Sequence, residues 1–267
     1  MASDNPVYLK WLNVIAFVLT VVVNSLAGST TLIGGVNTAQ VSDSNPSLIT
    51  PAGYVFAIWG VIYVLLAVFI IFQALPKEQG KGYQGKIGWL FVLSCLINIV
   101  WLFLWQYGQL GLSVVLMFML LATLIMIYLR LDIGRSAATR REKLAVHLPF
   151  SVYLGWITIA SIANVSATLV SLNWDGFGIS PTAWAILIVI VALMITLIMT
   201  AMRKDIAYSL VVVWALIGIA AKQSAYPDVV TTTEVAAVIA LIALAVMILL
   251  PRLRKTEKKP GKPQDAN

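Results

Sequence analysis

The chain has 267 residues, 60% of them hydrophobic and 11% charged, with a mean hydropathy of +0.93 and a formal net charge of +7. A soluble domain is about half apolar and a quarter charged, so this composition excludes a soluble globular protein and predicts a polytopic membrane protein. One cysteine, Cys95, inside an apolar run, and one histidine, His147, exclude a disulfide framework and a His-rich metal site.

A membrane span needs about 20 apolar residues. In chain order the apolar stretches fall at about eight places, 11–32, 52–75, 87–107, 110–130, 148–172, 181–201, 206–223 and 232–251. The fold expected is all-α, a polytopic membrane helix bundle of about eight transmembrane helices. The first stretch follows a polar, acidic opening (MASDNPVYLK) and ends without a small-residue cleavage site, so it reads as a retained helix and not a signal peptide. Residues 1–174 form a five-helix unit in this reading, 175–251 add three helices, and 252–267 form a basic, disordered tail.

The charges fix an orientation. With both termini on one side, the segments there hold 17 of the 18 lysines and arginines, and only Lys222 falls on the other. That is the positive-inside pattern, which places both termini in the cytoplasm. The +7 balance is then topological and calls for no nucleic-acid partner. The expected location is a bacterial plasma membrane, spanned several times.

The outer loops are short except the first. Gly34–Thr50 is polar, carries the single charge Asp43, and reads as a candidate lid. Glu234, at the outer start of the last helix, reads as a partner for Lys222. At about 1.5 Å per residue, Asn98 lies near the midplane on one face with Ser94, Trp101 and Trp105. Asn24, Tyr54, Phe56, Trp59 and Tyr63 reach the same outer slab from the first two helices. The inner halves read as plainer.

The fifth stretch, VYLGWITIASIANVSATLVSLNW (Val152–Trp174), has a stripe of Tyr153, Trp156, Ala160, Asn164, Ala167 and Ser171 at helical spacing. A lipid-facing stripe would be Leu, Ile, Val and Phe, so this one should look at other helices or at a cavity. An amide in hydrocarbon must find a partner. Each Asn alone reads as helix glue; the set, interleaved with tryptophan, reads as a pocket. No acid or base lies plainly inside a span, and no hydrolase constellation is visible, so neither an enzyme nor an ion-coupled carrier is expected. Small residues at Gly28, Ala160, Ala163 and Gly218 suit close contacts within the chain or in a homodimer.

Three segments resemble the TspO family, the tryptophan-rich sensory or translocator proteins once called peripheral benzodiazepine receptors. They are PAGYVFAIWGVIY (Pro51–Tyr63), LINIVW (Leu96–Trp101) and YLGWITIASIAN (Tyr153–Asn164). Two departures stand out. Ala57-Ile58 replaces the family's Gly-Pro step, and three helices follow the fifth, so the chain resembles a divergent, extended member. The resemblance implies a hydrophobic pocket open at the first-loop end, taking tetrapyrroles or other flat aromatics. Sterol recognition belongs to a C-terminal segment this chain does not match. Matching positions carry over Trp59, Tyr63, Asn98, Trp101, Tyr153, Trp156 and Asn164; Asn24 joins them by depth. The function expected is binding of a flat hydrophobic, tetrapyrrole-like ligand, for transport or sensing, with membrane lipid as surroundings and no resident cofactor or metal. The alternatives are a permease or channel for a small neutral solute and a ligand-free assembly partner.

Overall fold

The computed structural model describes residues 7–78 and 80–257, with side chains from 8 to 250. Among the described residues there is no strand. Helix α1 is Val7–Ser29 and α2, a short helix inside the first loop, is Thr38–Ser44. A 3₁₀ turn, Gly53–Ala57, runs straight into α3, Ile58–Ala74. The 3₁₀ turn Pro76–Glu78 and α4, Gly82–Ile87, lead to α5, Leu90–Gln106, and then α6, Leu110–Leu131. Next, α7 (Arg140–Glu142) and a π turn (Lys143–His147) continue into α8, Leu148–Ser171. The chain closes with α9 (Pro181–Arg203), α10 (Ile206–Lys222) and α11 (Pro227–Glu257).

Eight of these helices coincide with the eight apolar stretches. Six helical runs are long and apolar enough to cross a membrane; α5 and α10 are shorter, at 17 residues each. The last helix starts before the expected residue 232 and continues past 251 to Glu257, so the tail expected from Arg252 begins as helix; 258–267 lie outside the described residues.

Local chemistry sets the helix ends. Asn37 and Gln40 form a reciprocal capping box on α2. Ser180 caps α9 ahead of Pro181, which suits the first helical position because its missing N–H would have no partner there. Asp132 and Lys204 close α6 and α9 in the left-handed region. Gly134 follows at φ +86°, against the backbone of Arg203, where a Cβ has no room.

Helix α8 is the centre. In its span 56% of residues are buried, against 28% in α1, the α3 span, α9 and α11. It packs on α3, α6 and α10, while α1 lies across α3 and α5. At Gly155 a Cβ would stand 3.1 Å from Tyr208 O and 3.2 Å from Val211 Cβ, so glycine permits the close α8–α10 approach. The last three helices pack on one another and reach the rest chiefly through α10. Gly218 of α10 receives Val55 from the 3₁₀ turn, and its carbonyl accepts from Ala52 N at 3.0 Å. That small residue serves a contact within the chain.

The half of the bundle at the basic end, read from sequence as plainer, carries buried polar clusters. At the basic end Asn13 Nδ2 donates to Gln73 Oε1 at 3.0 Å, both residues buried. Asp205, also buried, accepts from Tyr128 Oη at 2.8 Å, from Ser151 Oγ, and from Tyr208 N at 3.1 Å. This carboxylate joins α6, α8 and α10. At the other end Lys222 pairs with Asp43 of the first loop, not with Glu234.

Candidate aromatic cleft

From Tyr153 to Ala167 the stripe read from α8 faces other helices, while Ser171 at its end is exposed. Trp156, Ile159, Ala160, Ala163 and Asn164 line a cleft whose other walls are Trp59 of α3, Trp101 and Trp105 of α5, and Phe56 of the 3₁₀ turn. Thr38 and Ser42 of α2, with Pro51, cover it. The first loop is therefore a structured cover.

Trp59 is the hub. Its ring stacks on Tyr63 at 5.7 Å and 19°, and lies 6.1 Å from each of Trp101, Tyr153 and Trp156. Trp101 stacks on Trp105 at 6.0 Å, and Phe56 meets Trp156 edge-on at 5.9 Å. Each such pair adds about 0.5–1.5 kcal/mol beyond area burial. A separate triad of buried rings, Phe69, Phe91 and Phe150, has centroids 5.2, 5.2 and 6.1 Å apart.

The amides divide into two kinds. Asn164 Oδ1 accepts from Trp101 Nε1 at 2.9 Å, and Asn164 Nδ2 donates to Ser113 Oγ at 2.9 Å. Its side chain is tied into the protein, a joint between α5, α6 and α8. Asn98 is half satisfied: Oδ1 accepts from Asn24 Nδ2 at 2.7 Å, while Nδ2 has no partner. Tyr63 Oη and Trp156 Nε1 are likewise buried and unpaired. Buried polar groups are nearly always hydrogen-bonded; these three are among nine unpaired buried polar atoms of the described residues, and of the three only Trp156 lines the cleft.

Of the residues singled out from sequence, Trp59, Trp101, Trp156 and Asn164 line the cleft, while Tyr63, Tyr153, Asn98 and Asn24 lie outside its lining. Trp59, Tyr63, Trp101, Tyr153 and Trp156 form one ring network, Asn164 bonds Trp101, and Asn98 with Asn24 forms an amide pair between α5 and α1. The sequence-derived set lacked Thr38 and Ser42 of the cover. The capping pattern Asn37-x-x-Gln40 was the signal that could have found that helix. The cleft holds about 30 Å³ of free volume, room for water but not for a ring system.

The cover is tethered on two sides. Trp105 Nε1 donates to Thr38 O at 3.2 Å, and Gln106 Nε2 reaches Thr38 Oγ1 at 3.5 Å. From α10, Gln223 Nε2 donates to Ser47 O at 3.2 Å and to Thr50 O at 3.1 Å, beside the Lys222–Asp43 pair.

An all-helical, multi-pass membrane bundle with a covered cleft of tryptophans and amides is the class these features define. The chain matches the protein-family model described as TSPO-like protein over residues 10–250. It belongs to that family, and the match runs through the last three helices as well as the first five. Comparison with curated proteins and with solved structures finds no match to this chain.

Proposed function

We propose that this TSPO-like protein binds a flat, hydrophobic, tetrapyrrole-like ligand in the aromatic cleft and serves its transport or sensing. The observation that carries the reading is the convergence of Trp59, Trp101, Trp105 and Trp156 on one cleft, with the unpaired Trp156 Nε1 in its wall. Rings that stack and meet edge-on can part to take a planar guest between them, and the unpaired Trp156 N–H can then orient its polar edge. The 30 Å³ of free volume requires the cleft to widen first, by lifting of the α2 cover. The groups lining the cleft are rings, amides, hydroxyls and aliphatics, suited to binding and not to acid–base chemistry.

In this reading all eight apolar helices cross a bacterial plasma membrane. The 17 residues of α5 and of α10 reach about 25 Å each, near the lower limit for a span. Both termini are cytoplasmic, because that arrangement gathers 17 of 18 basic side chains on one side. The cleft then opens outward.

A second reading, a ligand-free assembly partner, is favoured by the small free volume and by the closed hydrogen bonding of Asn164. Titration of the purified chain with protoporphyrin, read by tryptophan fluorescence, separates the two. Saturable quenching is expected, with affinity about fivefold weaker in Trp156→Phe, which keeps a ring and removes one N–H donor worth about 1 kcal/mol. Linear, unsaturable quenching, with no shift in the melting temperature, would move the assignment to the assembly reading.

A further inference from the structure

A second space, of about 590 Å³, lies at the basic end of the bundle, away from the aromatic cleft. That is the size of a small-molecule site. Phe72 and Leu75 from the end of α3 and Leu144 from the π turn give it apolar walls. Lys77, Glu78 and Arg141 line it too. Leu75 and Leu144 are 46% and 54% exposed, so the groove is open to the surroundings of the bundle. Neither cation takes part in an ion pair among the described residues. The flanking segments 76–86 and 140–143 together hold six lysines and arginines against two glutamates. The π turn widens the helix here by one residue, a distortion that recurs at functional sites.

We propose that this groove binds an anionic glycerophospholipid of the surrounding leaflet, with an acyl chain against Phe72, Leu75 and Leu144 and the phosphate at Lys77 and Arg141. Apolar walls alone would suit any hydrophobe, and cations alone any anion. A lipid supplies both, at the height where an apolar helix gives way to a basic turn. Arginine and lysine are the usual phosphate partners. The six-to-two excess of positive charge selects an anionic headgroup over a zwitterionic one.

The test is native mass spectrometry of the full chain in detergent, titrated with phosphatidylglycerol or phosphatidylcholine of matched chains. Phosphatidylglycerol should bind at least about tenfold more tightly, and lose about tenfold in K77Q/R141Q. L144W, which blocks the apolar wall and keeps both cations, should lose a similar factor and decides the matter if the charge variant fails to fold. R130Q/K204Q, which removes two basic charges elsewhere at the same end, should bind as wild type. Equal binding of the two lipids would overturn the proposal. So would an equal loss in R130Q/K204Q, which would mean diffuse charge attraction, or competition by glycerol phosphate without chains, which would mean a soluble-anion site.

Discussion

The cover over the cleft gives the sharpest quantitative expectation. Gln223 holds the 47–50 segment through two hydrogen bonds from one amide, at 3.2 and 3.1 Å. Each contributes about 0.5–1.5 kcal/mol net, so the pair is worth about 2 kcal/mol. Every other tether must also break when the cover lifts, but it breaks in wild type and variant alike and cancels. Gln223→Ala should therefore raise the open-to-closed ratio about 30-fold, at 1.4 kcal/mol per factor of ten. Amide hydrogen exchange reads this directly. Amides of the cover, among them Val41 N, which bonds Asn37 O at 3.2 Å, should exchange about 30-fold faster. Those in the middle of α9 should not change. Lys222→Ala should do much less, because a partly exposed ion pair is worth under about 1 kcal/mol. A change below threefold in Gln223→Ala would refute the view that α10 holds the cover down.

Two further outcomes concern the basic end. Asp205→Ala leaves the Tyr128 and Ser151 hydroxyls and the Tyr208 N–H without an acceptor, at about 1–3 kcal/mol for each unpaired donor. The melting temperature in detergent should fall by about 10 °C, and by much less in Asp205→Asn, which keeps one acceptor oxygen; a fall under 2 °C in the alanine variant would contradict the assignment. Gly134→Ala meets both a positive φ and the Arg203 backbone, whereas Gly35→Ala meets only a positive φ with open space around it. Because the φ strain is common to both, the overlap should make the first the less stable by about 1–3 kcal/mol; equal melting would show that the close approach at Gly134 does not matter.

Much of the bundle was legible because its signals are local. Eight apolar runs became eight helices, and the stripe Trp156, Ala160, Asn164 on α8 faces the cleft because helical spacing alone fixes which residues share a side. What was not legible depends on partners far apart in sequence. Asp205 is the N-cap of α10, and nothing near it in sequence announces Tyr128 and Ser151, 77 and 54 positions away. Lys222 lies nearer to Glu234 in sequence, yet it meets Asp43, 179 positions away, because the first loop folds back over α10. Asn164 lines the cleft, but whether its amide is free or tied depends on Ser113 of α6, which no spacing rule on α8 contains. Its loss would leave the Trp101 N–H unpaired, so substitution there disturbs packing as well as any binding.

The most direct test of the cleft is where a bound ligand attaches. A porphyrin carrying a photoreactive diazirine, irradiated with the purified chain and mapped by peptide mass spectrometry, should label residues of 53–63, 98–105 and 153–164. Excess unmodified protoporphyrin should suppress that label. Label spread over the lipid-facing sides of α9 and α11, or label that excess protoporphyrin leaves unchanged, would contradict the cleft as the ligand site.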